Sequence, residues 1–195
     1  LDTTGRVIAP PGLDVKAASE EQDGYVMLGL DTPLVRNFLK KSERRRKPVM
    51  FYNACVSEAE YIGYIGCNYE DSGRLAAGLA ALAGGDDARV CIFSEGGDSP
   101  IESYRERLRG FCEEVRTRYP AMRILDVRAI GEGQKENETA VRQLFLDFPD
   151  VNLIYVINRS DYGICREIAR ADKARQVRII TNDLVAEQEE LMRAG

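Results

Sequence analysis

Histidine and tryptophan are both missing from this 195-residue chain. Without histidine the commonest general base and the commonest metal ligand are gone, and with them Ser-His-Asp and Cys-His catalysis. Without tryptophan, stacking on a sugar ring falls to tyrosine and phenylalanine. No stretch approaches the roughly 18 apolar residues of a membrane span, and no signal-peptide pattern opens the sequence. There is no G-x-G-x-x-G after a strand and no G-x-x-x-x-G-K-[ST]. Gly131-Glu132-Gly133 runs into a polar helix, not a phosphate-cradling turn. Catalysis on nucleotides is therefore disfavoured, and no cofactor or metal is expected.

Cysteine is present but unpaired in pattern. Cys55, Cys67, Cys91, Cys112 and Cys165 are odd in number, widely spaced and without a Cys-x-x-Cys pair. This fits reduced, individually buried thiols and a cytoplasmic location. Lys plus Arg is 27 and Asp plus Glu is 32, giving a net charge of −5. Such a balance does not by itself suggest a nucleic-acid surface. The one local exception is Lys40, Lys41, Arg44, Arg45, Arg46 and Lys47. It reads as a solvated helix end complementing the macrodipole, with an anionic partner as the alternative.

What is there is an alternation of strands and helices. Pro10, Pro11 and Gly12 break the first residues, and 14–22 has the composition of a short helix. GYVMLGL, 24–30, is a continuous apolar run of the kind buried on both sheet faces. Asp31-Thr32-Pro33 caps an amphipathic helix over 33–46. Strands are expected over 48–54 and 61–66, and Asn68 begins a capping turn. A small-residue helix covers 73–82, able to lie close on a sheet. Further strands are expected at 88–94, 122–130, 151–158 and 177–183. Helices are expected at 102–118, 135–147, 161–172 and 186–193. The alternation predicts an α/β fold with parallel sheets and right-handed crossovers.

Polar residues stand immediately after the strands: Asn53, Cys67 and Asn68, Ser94 and Glu95, Asn158, and Asn182 with Asp183. Strand ends in such a sheet share one edge, where ligands bind. Each residue taken singly also suits a turn or a helix N-cap. Arg105, just past a strand end, either meets a ligand or pairs with Glu95 or Asp98.

Five stretches together resemble the effector-binding domain of LacI/GalR-type transcription regulators, a fold shared with ribose-binding periplasmic proteins. They are DGYVMLGLDTPLVRNFLKK, RRKPVMFYNA, YIGCNYEDSGRLAAGLA, SYRERLRGF, and DFPDVNLIYVINRSDYGICREI followed by VRIITND. Their order and spacing carry the resemblance, from about Asp23 to Gly195. It implies two Rossmann-like lobes, with 1–67 as part of the N-lobe and 68–195 as most of the C-lobe. It also implies a ligand cleft between the lobes. The ligand residues it implies are Asn53, Cys67, Arg105, Asn158 and Asp183. An arginine fork with acid and amide groups suits vicinal hydroxyls, which both donate and accept.

The sequence departs from the family in places. Asn68-Tyr69 replaces the usual Asp-Asn, and Asn158 to Gly163 is one residue short. The family's first strand and helix are expected to be missing or compressed into 1–22, which implies an incomplete N-lobe. Its helix-turn-helix is absent from these residues, so DNA would be bound only through a further domain. The function implied is that of a non-enzymatic sugar sensor, a homodimer whose closure on its effector sets DNA affinity. The alternative is a solute-binding protein of a sugar ABC transporter or chemoreceptor. A Rossmann-like sugar-nucleotide enzyme is the third reading.

Overall fold

A computed structural model describes residues 22–95, 101–130, 133–157, 162–171, 176–184 and 186–194. The irregular stretch 1–12 and nearly all of the helix expected over 14–22 lie outside them. Contacts divide the chain into two compact units, Leu1–Cys67 with Pro100–Glu102, and Asn68–Ser99 with Ser103–Gly195.

The first unit holds strand β1 (Tyr25–Leu28), helix α1 (Pro33–Arg44), strand β2 (Val49–Tyr52) and strand β3 (Gly63–Ile65). Helix α1 starts where it does because the Thr32 hydroxyl accepts from the Val35 amide at 3.3 Å and Pro33 occupies the first turn. Lys41 and Arg44 fall in its last turn, where cations complement the helix dipole. The three strands are parallel in the order β1-β2-β3. Leu39, Val49, Phe51 and Val56 form the core of this unit, and Tyr25 meets Phe38 edge-on at 4.8 Å.

One expectation is corrected here. The run 24–30 is not a strand buried on both faces: β1 covers only 25–28, and Val26 is 69% exposed. It is an edge strand among the described residues. Tyr25 and Met27 pack toward the core cluster, and alternation sends Val26 to the other face.

The second unit runs α2 (Tyr69–Gly84), β4 (Arg89–Ser94), α3 (Glu102–Arg118), β5 (Arg123–Ala129), α4 (Gln134–Asp147), β6 (Leu153–Val156), α5 (Tyr162–Arg170), β7 (Arg178–Thr181) and α6 (Ala186–Ala194). Its four strands are parallel in the order β5-β4-β6-β7. Alternation along the central strands builds two cores. Val90, Ile92, Leu153 and Tyr155 face Ala76, Ala77, Ala80, Phe111 and Val115 of α2 and α3. Cys91, Phe93, Ile154 and Val156 face Val141, Leu144, Ile164 and Ile168 of α4 and α5. Covering both faces is what makes β4 and β6 read as unbroken apolar runs.

Two devices fix the helix pairs. Where α2 crosses α3, Gly73 and Gly110 leave no room for a side chain. A Cβ on Gly73 would lie 2.1 Å from the Arg107 carbonyl oxygen, and one on Gly110 would lie 2.0 Å from that of Glu70. Between α4 and α5, the buried Glu138 pairs with Arg166, and Arg142 Nε donates to Glu167 at 2.6 Å.

Candidate ligand-binding site

In the second unit the crossover from β4 through α3 leads to β5 on one side. The crossover from β6 through α5 leads to β7 on the other. Adjacent strands whose connections leave in opposite directions open a crevice beyond their carboxyl ends. The candidate site is therefore the edge formed by Ser94, Ile157, the end of β7 and the start of α3.

Arg107, on the sheet-facing side of α3, donates from Nη1 to the Ile157 carbonyl at 3.2 Å. Its guanidinium lies over the Tyr69 ring, 4.8 Å from the centroid, a cation–π contact. Among the described residues, the buried Ser94 hydroxyl and Arg107 Nε have no hydrogen-bond partner. Unsatisfied buried polar groups are costly, and two of them at one strand edge mark a place built for more than packing. Asn182 follows β7. Its Nδ2 donates to the carbonyls of Val156 at 3.2 Å and Ile157 at 3.0 Å, and its Oδ1 accepts from the Tyr155 hydroxyl at 3.4 Å. Burial pushes the Tyr155 phenol above its ordinary value of 10.0.

Of the residues expected to meet a ligand, Arg105 and Asp183 both lie at this carboxyl edge. Arg105 is half-buried in the first turn of α3. Asp183 is exposed, and its main-chain oxygen accepts from the Thr181 hydroxyl at 3.1 Å. Asn158 lies outside the described residues, as do Asp98 and the Gly131-Glu132 part of the glycine turn. In the first unit, Asn53 and Cys67 follow β2 and β3. Both are exposed. The Tyr64 hydroxyl brings them together, lying 3.2 Å from the Asn53 carbonyl and 3.1 Å from that of Cys67. Asn53 also has a left-handed backbone, with φ 60°, which asparagine tolerates better than most residues.

Sequence reasoning missed Arg107. It chose Arg105, two residues earlier. On a helix with 3.6 residues per turn that separation puts the two side chains on nearly opposite faces. The signal was the periodicity: Arg107, Gly110, Phe111 and Val115 share the sheet-facing stripe.

Among the described residues no group of three His, Cys, Asp or Glu is placed to hold a metal ion, and no helix is long and apolar enough to cross a membrane. All five cysteines are free, but the expectation that each is buried is corrected: only Cys91 is, while Cys55, Cys112 and Cys165 are half-buried and Cys67 is exposed. Cys91 is buried within the sheet, and desolvation pushes its thiol up to about 12.

The sequence profile of the periplasmic binding protein domain matches residues 17–195. The chain belongs to this family. Its fold is similar to that of GanP, a glucose-galactose binding protein from Geobacillus stearothermophilus. The TM-score is 0.83 at 21% identity, over 93% of this chain and 64% of that one. It is also similar to a sugar-binding protein of a sugar ABC transporter from Bacillus halodurans, with TM-score 0.82 at 18% identity over 93% and 62% of the two chains. A putative LacI transcriptional regulator from Bacteroides fragilis matches with TM-score 0.78 at 23% identity, over 92% and 63%. The chain thus spans less than two thirds of the length of these solved structures. No curated protein matches it.

Proposed function

We propose that this periplasmic binding protein domain holds a sugar or similar small polyol and serves as the effector-sensing part of a LacI-type regulator. The observation that carries the ligand assignment is the carboxyl edge at β4 and β6, where the buried Ser94 hydroxyl and Arg107 Nε share an edge with the half-buried Arg105 and the exposed Asp183. Arg105 supplies a fork of donors, Asp183 accepts, and Asn158 does both, matching the mixed hydrogen-bonding of vicinal hydroxyls. From the first unit, Asn53 and Cys67 are assigned as the ligand-facing polar groups at its own carboxyl edge. Two of the similar solved structures are of a glucose-galactose binding protein and of the sugar-binding protein of a sugar ABC transporter, which supports the ligand class.

The regulator assignment rests on the five free thiols, which suit a reducing compartment. In that role the protein is a cytoplasmic homodimer, and its DNA contacts come from a helix-turn-helix outside these residues. A second reading, a solute-binding protein of a sugar transporter, is supported by the similarity to the sugar-binding protein of a sugar ABC transporter. Titration of the denatured protein from its native cells, without reductant, separates the two. Five reactive thiols support the regulator, and two disulfides support the transport protein.

Ligand binding is tested by calorimetric titration of wild type and Arg105→Ala against pentoses and hexoses. A charge-assisted hydrogen bond to a buried hydroxyl contributes roughly 1.5–3 kcal/mol. Arg105→Ala should weaken binding about ten- to a hundredfold and leave the melting temperature near that of wild type. Unchanged affinity with a large loss of stability would make Arg105 structural. Absence of binding to every sugar and polyol would end the ligand assignment.

A further inference from the structure

We infer that Asn182, with Arg107 and Tyr155, is a clamp that positions the carboxyl-terminal end of β6. This role rests on the sugar-binding proposal above, because that strand end is the one the proposal uses. The strand β6 pairs with β7 in a register that sets Val156 beside Thr181. One step further, where β7 ends, Asn182 stands beside Ile157. Its side chain takes over from the ladder: Nδ2 donates to Val156 and Ile157 carbonyls at 3.2 and 3.0 Å. Arg107 Nη1 reaches the same Ile157 carbonyl from α3 at 3.2 Å. A carbonyl oxygen has two lone pairs, so the one on Ile157 is held from both sides.

Each member of the clamp is itself fixed. Tyr155 is fully buried and stacks on Phe111, with centroids 4.8 Å apart and planes 21° from parallel. Its hydroxyl lies against both amide atoms of Asn182, 3.4 Å from Oδ1 and 3.3 Å from Nδ2, and braces the side chain at the strand end. Arg107 is held over Tyr69. The groups come from α3, β6 and β7 and converge on one peptide. Two donors, one of them charged, also occupy the Ile157 oxygen, so this carbonyl is withdrawn from the ligand and acts as framework. The neighbouring ligand groups then approach a peptide of fixed orientation, as preorganised binding requires.

The test uses the whole chain with Asn182→Ala and Tyr155→Phe, with the Ile157 carbonyl labelled with carbon-13. In the ligand-free protein, Asn182→Ala should move the Ile157 carbonyl resonance upfield, as a carbonyl losing a donor does. Tyr155→Phe should move it less in the same direction. Calorimetry with D-ribose, D-xylose, D-galactose and L-arabinose should give at least tenfold weaker binding for Asn182→Ala, to whichever sugar wild type takes. An unmoved resonance, or affinity within twofold of wild type, overturns the clamp and leaves sugar binding standing. If wild type binds none of these sugars, that assignment to them fails and the resonance alone decides the clamp. If Asn182→Ala does not fold, Tyr155→Phe is read by the same criteria, and an unmoved resonance there overturns the clamp.

Discussion

Replacing Gly110 by alanine should cost stability although alanine is the better helix former. In an open helix interior the exchange favours the fold by about 1 kcal/mol. At Gly110 the added methyl would stand 2.0 Å from the Glu70 carbonyl oxygen, with the Glu70 Cα at 3.1 Å. Both are backbone atoms of α2 and no rotamer change relieves them. Bringing the methyl to even 3.0 Å requires α2 and α3 to part by roughly 1 Å. A radial gap of about 0.5–1 Å forfeits a quarter to a half of a dispersion contact. The contacts at stake are those of Ala76, Ala77 and Phe111 in the core beneath the crossing. Overpacking typically costs about 1–3 kcal/mol, and a clash with backbone belongs at the upper end.

The control lies in α2. A Cβ on Gly78 meets nothing nearer than the Tyr119 hydroxyl at 3.6 Å, so Gly78→Ala should gain the propensity term and raise stability. Far-UV circular dichroism follows the melts, since there is no tryptophan to report. At roughly 3–6 °C per kcal/mol for a unit of this size, Gly110→Ala should melt well below wild type and Gly78→Ala slightly above. Gly73→Ala, 2.1 Å from the Arg107 carbonyl, should behave like Gly110→Ala. The double variant should lose less than the sum, because the first separation makes room for the second methyl. A rise in melting temperature for Gly110→Ala would refute the close crossing.

Further outcomes follow from single residues. Cys67 is exposed and Cys91 is buried with its thiol pushed up to about 12; a thiol reagent at pH 8 should modify Cys67 in the native protein and Cys91 only after denaturation. Asn53 holds φ at 60°, so Asn53→Gly should leave stability within a few tenths of a kcal/mol, whereas Asn53→Val should cost about 1–2 kcal/mol in the melt. The Arg142 guanidinium hydrogen-bonds Glu167 and holds its carboxyl below the ordinary 4.5. Stability from this depressed group is present above that value and lost as pH falls through the lowered one. Glu167→Gln should therefore melt closer to wild type at pH 3 than at pH 7.

Most of the fold was legible because the second unit obeys periodicity. The expected helix over 102–118 is α3 to the residue, and the apolar run around 151–158 is the fully buried β6. Boundaries slipped where capping outweighs propensity. Asn68 Oδ1 accepts from the Asp71 amide at 3.1 Å, with Glu70 and Asp71 in the first turn. Helix α2 therefore begins at Tyr69, before the Ala-rich stretch that announced it. Acids near a helix start are favoured by the dipole, and a serine and a glycine following them do not undo that. The run 24–30 misled for another reason. An apolar stretch does not say how many of its faces are covered, and Val26 lies on an uncovered one.

The candidate site was legible as an edge but not as roles. The sequence places Asn182 and Asp183 together after β7, and both looked suited to a ligand. Neighbouring residues at a strand end point to opposite sides, and only the pairing register says which side each takes. With Thr181 beside Val156, Asn182 falls beside Ile157 and spends its amide on backbone carbonyls, while Asp183 stays exposed. The same logic separates Arg105 from Arg107 on α3. Asn182 and Arg107 both hold the Ile157 carbonyl, whereas Arg105 and Asp183 do not reach it. A register slip of one residue in β7 would exchange the two roles. The variants Asn182→Ala and Asp183→Ala should thus part company: the first moves the Ile157 resonance, the second leaves it in place and weakens sugar binding. Equal effects of both on that resonance would show that the side chains do not divide as the register requires.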